Sequence, residues 1–148
     1  MTDRKPIVRP KLDAVSVSIM WDRLVAIADE IVTTLMRTSF STIVSESYDL
    51  TVAILDRDGE LLAQGTKSLP VFMGTAPRTL RHFLKRYPPE TLRPGDIVIS
   101  NDPWVGTGHM FDINVMRPVF RHDQLVACLL YTSPSPRDAT LARMPSSA

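Results

Sequence analysis

His109 and Asp112 stand three residues apart at the end of Asn101-Asp102-Pro103-Trp104-Val105-Gly106-Thr107-Gly108-His109-Met110-Phe111-Asp112, a stretch rich in turn formers between two apolar runs. An imidazole and a carboxylate are good ligands for a divalent cation such as manganese, iron or zinc. Asp102-Pro103 favours a turn, while Gly106 and Gly108 give the backbone dihedrals that other residues resist. Loops held between rigid elements are where such groups do chemistry. Spacing alone makes His-x-x-Asp a weak signal, because a loop histidine is more often a plain hydrogen-bonding residue. The other candidates also carry two readings. Asp102 either orients His109 or only closes its turn. Glu46 and Asp49 either serve as acid–base groups or cap and pair with a nearby arginine. His82 and His122 read as solvent-facing. Ser39, Ser41 and Ser45 have no paired base, so a serine nucleophile is unsupported. The sequence contains no glycine-rich phosphate loop of the Walker type, which places nucleotide binding elsewhere.

The elements that must position this loop follow from periodicity. Met20, Leu24, Ile27, Ala28, Ile31 and Leu35 recur at helical steps and predict a helix over Ala14 to Thr38, capped by Asp13. From Tyr48 to Leu55 the period becomes two, with Leu50, Val52 and Ile54 on one side and Ala53 and Leu55 on the other, so both faces of the sheet should be covered. Asp56-Arg57-Asp58-Gly59 is a turn and Glu60 to Gln64 the returning strand. A second helix over Thr75 to Arg86 tolerates Pro77 in its first turn, turns Leu80, Phe83 and Leu84 inward, and has a basic outer face. Ile97 to Ser100 is a short strand that leads into the site loop, and Ile113 to Phe120 the strand that leaves it. The expected fold class is α+β, with a long N-terminal helix and a second helix packed on a mixed, largely antiparallel sheet.

The C-terminal end obeys another logic. Cys128-Leu-Leu-Tyr-Thr-Ser-Pro-Ser-Pro-Arg-Asp138 resembles the translation of a transposase-made sequencing-library adapter, and Arg143-Met-Pro-Ser-Ser-Ala148 looks like more of it. Residues 128–148 are therefore set aside as a non-native tail, residues 1–13 as a flexible N-terminus, and residues 14–127 as the folded part. The full chain has formal net charge +1. Setting the tail aside removes Arg137, Arg143 and Asp138 and leaves a neutral chain, which gives no reason to expect a nucleic-acid partner. It also removes Cys128, the only cysteine, and with it any disulfide or thiolate chemistry. Neither a signal peptide nor an apolar run near the roughly 20 residues needed to cross a bilayer is present, so a cytoplasmic protein without membrane association is expected. Because the folded part breaks off inside Leu125-Val126-Ala127, it is expected to be an N-terminal fragment with an incomplete domain and low stability alone.

Several ordered motifs together carry a resemblance. Arg37-Thr-Ser-Phe-Ser41, Ser45-Glu46 with Asp49, Asp56 to Gly59 with Leu62-Ala63-Gln64, Arg93-Pro-Gly-Asp96, Asn101-Asp102-Pro103, and Gly106 to Asp112 make the chain resemble the start of the hydantoinase B/oxoprolinase family. That family includes B subunits of ATP-dependent hydantoinases, the C-terminal half of 5-oxoprolinase and the alpha-type subunit of acetone carboxylases. The resemblance implies a hydrolase subunit that opens a cyclic amide of hydantoin or 5-oxoproline type, in a hetero-oligomer with a hydantoinase A-type subunit that binds ATP. An acetone or acetophenone carboxylase subunit is the alternative, and a non-catalytic assembly module a second. In the carboxylase branch a His-x-x-Asp pair and a later histidine hold manganese. Carried over, the pair falls on His109 and Asp112, and the later histidine would lie beyond Ala127.

Overall fold

The computed structural model describes residues 12–39 and 42–134. Helix α1 spans Ala14–Thr38, and Asp13 caps it: the Ser16 N–H donates to Asp13 Oδ1 and the Ser16 hydroxyl to Oδ2, both at 2.9 Å. Those two bonds hold the Asp13 carboxyl below its ordinary value of 3.8. A one-turn-and-a-half helix α2 (Thr42–Ser47) follows, then strands β1 (Thr51–Asp56) and β2 (Leu61–Gln64), a 3-10 turn at Pro70–Met73, helix α3 (Thr75–Arg86), and strands β3 (Val98–Ser100), β4 (Asp112–Arg121) and β5 (Gln124–Pro134). The β1–β2 turn forms as its residues require: Asp56 Oδ1 accepts from the N–H groups of Asp58 and Glu60, and Gly59 takes φ +85°.

The five strands lie in the order β2-β1-β5-β4-β3, and each pairing is antiparallel. The sheet is thus antiparallel throughout rather than mixed. Alternation along the strands gives it two buried faces. On one, Ala76, Leu80 and Phe83 of α3 pack on Ala53, Leu55, Met116, Cys128 and Leu130. On the other, Ala28 and Val32 of α1 and Val44 of α2 pack on Leu50, Val52 and Ile54. An α+β fold with a helix on each face is the result.

Two expectations need correction. The inward stripe of α1 is not the whole series: Met20 and Ile27 are about half exposed, whereas Val32 is fully buried. The helix has 25 residues and is about 37 Å long. The cluster beneath it reaches back only to Leu24, so the apolar residues of its first turns find no partner among the described residues. The second correction concerns the end of the fold. Residues 128–134, set aside as a tail, form most of β5, the middle strand, and the strand does not stop at Ala127. The reason is local: Cys128, Leu130 and Thr132 alternate with Leu129 and Tyr131, and the first three point into the α3 face and are buried. Burial at Cys128, helped by the Asp56 charge, pushes its thiol from 9.0 up to about 11.

The N-terminal segment 1–11, residues Phe40 and Ser41, and residues 135–148 lie outside the described residues, as do the side chain of Ser45 and most of the adapter-like stretch. Among the described residues no helix is long and apolar enough to cross a membrane.

Candidate metal site at one end of the sheet

Antiparallel pairing brings the start of β1, the start of β4, the end of β3 and the end of β5 to one end of the sheet. Thr51 pairs with Thr132, Thr132 with Asn114, and Asn114 with Ser100. One step further out, Asp112 pairs with Pro134, while Asp49 sits in the tight turn that precedes β1, where the Leu50 N–H donates to the Tyr48 carbonyl. On the α3 face the apolar core gives way here to a row of buried polar groups, Thr51, Asn114 and Thr132, in which the Thr132 hydroxyl donates to Asn114 Oδ1 at 2.8 Å.

The loop over this row is built by its own backbone. Asp102 Oδ1 accepts the Trp104 N–H at 2.9 Å, and the Asp102 carbonyl accepts from Val105 and Gly106 at 3.2 and 2.9 Å. Thr79 of α3 donates its hydroxyl to the Val105 carbonyl at 2.9 Å and ties helix to loop. At Gly106 a Cβ would run into Asn114 Nδ2, so only glycine lets the loop settle on the buried row. Gly108 takes φ +95° and turns the chain toward His109.

His109 Nε2 lies 3.3 Å from Asp112 Oδ2, with the imidazole half exposed and the carboxylate 4% exposed. The separation is short enough for both atoms to ligate one ion, yet the alignment is not that of a hydrogen bond, and Asp112 Oδ2 is buried without a hydrogen-bond partner. Thr51 Oγ1 and Thr107 Oγ1 share that condition. Buried polar atoms are ordinarily satisfied, so the unpartnered Asp112 oxygen beside an accessible imidazole calls for an explanation. An orphaned carboxylate oxygen beside an accessible imidazole nitrogen fits a divalent cation. The two residues make half a site: among the described residues no group of three or more His, Cys, Asp or Glu is assembled.

The other predicted residues part company. Asp49 shares the sheet end with the pair. Asp102 is exposed, and its carboxylate is engaged in its own turn. Glu46 is exposed on α2, which packs on the α1 face, while Asp112 points to the α3 face, so the sheet separates them. His82 and His122 are exposed, as their settings implied. Sequence reasoning missed Thr51, Asn114 and Thr132; the signal was polar residues at inward positions of otherwise apolar alternating strands.

The described residues form an α+β domain whose antiparallel sheet, with helices on both faces, carries His109 and Asp112 together at one end. The model of the family described as hydantoinase B/oxoprolinase matches residues 13–132, and this chain belongs to that family. It is 39% identical over 114 residues to 5-oxoprolinase 1 of Arabidopsis thaliana, spanning 77% of this chain and 9% of that protein. It is 29% identical over 126 residues to the B subunit of a putative D-/L-hydantoinase of Pseudomonas sp. (strain NS671), spanning 83% of this chain and 21% of that one. The chain therefore spans about a tenth to a fifth of these relatives' length. Among solved structures, nucleotide-free acetone carboxylase shares the fold with TM-score 0.73 at 20% identity, covering 82% of this chain and 16% of that chain. The ATP-dependent caprolactamase from Pseudomonas jessenii does so with TM-score 0.73 at 23% identity, covering 85% and 21%.

Proposed function

We propose that the chain is part of a hydantoinase B-type catalytic subunit that opens a cyclic amide together with an ATP-binding A-type subunit, and that His109 and Asp112 hold a divalent cation, manganese first, in the complete protein. The buried, unpartnered Asp112 Oδ2 facing His109 Nε2 carries this reading. When bound there, such an ion polarises a carbonyl or stabilises an enolate. His109 supplies a neutral donor on a turn set by Gly108, and Asp112 a charged donor from the first residue of β4. Asp49, in the turn before β1, would serve as an acid–base group for the same reaction. Relatives named as 5-oxoprolinases and as a hydantoinase component support the substrate class.

The test is direct titration with Mn(II), followed by electron paramagnetic resonance. The chain should bind the ion weakly, and His109→Ala with Asp112→Ala should abolish binding. The family resemblance implies a later histidine, and position 134 faces Asp112 across the β4–β5 ladder, on the same side of the sheet. Pro134→His should therefore tighten Mn(II) binding by at least about tenfold, the order of effect of an added ligand or its support. Unchanged Mn(II) affinity in the double variant removes the proposal.

We also propose that residues 128–148 stem from adapter DNA, with 128–134 taking the central strand because their apolar alternation suits it. Sequencing the source DNA across codon 128 decides this; an uninterrupted genomic match through codon 148 would refute it.

A further inference from the structure

Among the described residues β3 is the outermost strand beyond β4, and one of its edges carries backbone donors and acceptors with no strand beside them. A groove of about 610 Å³ runs between this edge and α3, lined by His82, Lys85, Arg86, Tyr87, Val98 and Ile99. A second hollow of about 400 Å³ shares Tyr87, Val98 and Ile99 and continues past Ile97 to Asp96. The two hollows share these lining residues and so adjoin one another beside β3. Ile97 and Ile99 are 59% and 64% exposed, which is costly for an edge left in water. The opposite wall is cationic. Among the described residues Arg57 pairs with Asp58 and Arg81 with Glu60, whereas Lys85 and Arg86 have no carboxylate partner. The carboxylates lining the two hollows, Asp96 and Asp102, are engaged by the backbone N–H groups of Arg93 and Trp104.

We propose that these adjoining hollows are a docking groove for an acidic, extended segment of a partner protein, added to the sheet as a strand beside β3. Backbone pairing to the free edge supplies affinity, apolar side chains cover Ile97 and Ile99, and central acidic residues meet Lys85 and Arg86. A small anion does not use the length of the groove or its free edge. A second copy of this chain brings the same cations against Lys85 and Arg86 and is repelled.

The probe is the heptapeptide Thr-Val-Glu-Val-Glu-Val-Thr, acetylated and amidated, titrated into the full chain by calorimetry. Binding is expected, weakened several-fold by 0.5 M salt because screening reaches exposed charges first. Lys85→Glu with Arg86→Glu should weaken it at least about tenfold. Those side chains are exposed, so folding is retained and checked by circular dichroism. Two versions of the peptide, N-methylated at alternate residues in the two possible phases, should separate: one phase loses binding and the other keeps it, because only one set of N–H groups faces β3. Equal binding by the two N-methylated peptides, undiminished binding by the charge-reversed variant, binding of tripolyphosphate in place of the peptide, or concentration-dependent self-association in its stead would each overturn the proposal.

Discussion

An oxygen of Asp112 sits out of water with no hydrogen bond, a condition that costs about 1–3 kcal/mol for an ordinary polar group and more for a charged one. Groups held at such a cost are characteristic of sites that await a ligand, and stability is what they surrender. Asp112→Asn should therefore leave the urea midpoint unchanged or raise it, while Mn(II) binding falls; a variant that unfolds more readily than the parent would show that the carboxylate serves the fold instead. Cys128 is the opposite case. Its pKa is raised to about 11, so the neutral thiol stabilises the fold below the unfolded value near pH 9 and that contribution fades as pH climbs toward 11. At pH 8 iodoacetamide should modify the native thiol about a hundredfold more slowly than the guanidinium-unfolded one, in line with the smaller thiolate fraction. At this scale the sequence was legible in bringing His109 and Asp112 together, because their spacing after a glycine-containing turn lets the side chains lie 3.3 Å apart. It was illegible at Thr51, Asn114 and Thr132, whose roles exist only once three strands separated along the chain line up.

Helices show how far periodicity carries. The bounds of α1 and α3 follow from Asp13, the apolar steps, Pro77 and the Pro88-Pro89 stop, because each of those signals acts within a turn or two of the chain. Which residues of α1 reach the core depends instead on what lies underneath, and Met20 and Ile27 were misjudged for that reason. One contact fixes the helix along its axis. Asp29 accepts the Thr66 N–H at 2.6 Å and the Thr66 hydroxyl at 3.0 and 2.9 Å, which joins the middle of α1 to the turn after β2. Asp29→Ala should cost about 1–2 kcal/mol, the ordinary loss for hydrogen bonds to a charged group at a partly buried position, read as a lower urea midpoint with an unchanged slope. The site loop depends on a different detail. Gly106→Ala should displace the Asn114 amide from Thr132 and weaken Mn(II) binding while α-helical circular dichroism persists.

For the whole molecule, the decisive element is β5. Removing residues 128–148 would leave β1 and β4 without the strand that joins them, so a chain ending at Ala127 should lack a cooperative thermal transition and bind the dye ANS; a sharp transition in that chain would mean that the sheet closes another way. The two-faced sheet was legible from Val52 and Ile54 alternating with Ala53 and Leu55. The strand order was not, because a tail judged by its origin gave no hint of where its alternating side chains would fit.

Placing β5 between β1 and β4 also makes the sheet wait on a contact between residues far apart along the chain. Thr51 finds its neighbour Thr132 only after the whole intervening stretch has left the ribosome. Until then β1 and β4 each present a sticky flank, so folding waits on a distant contact and is exposed to misassembly.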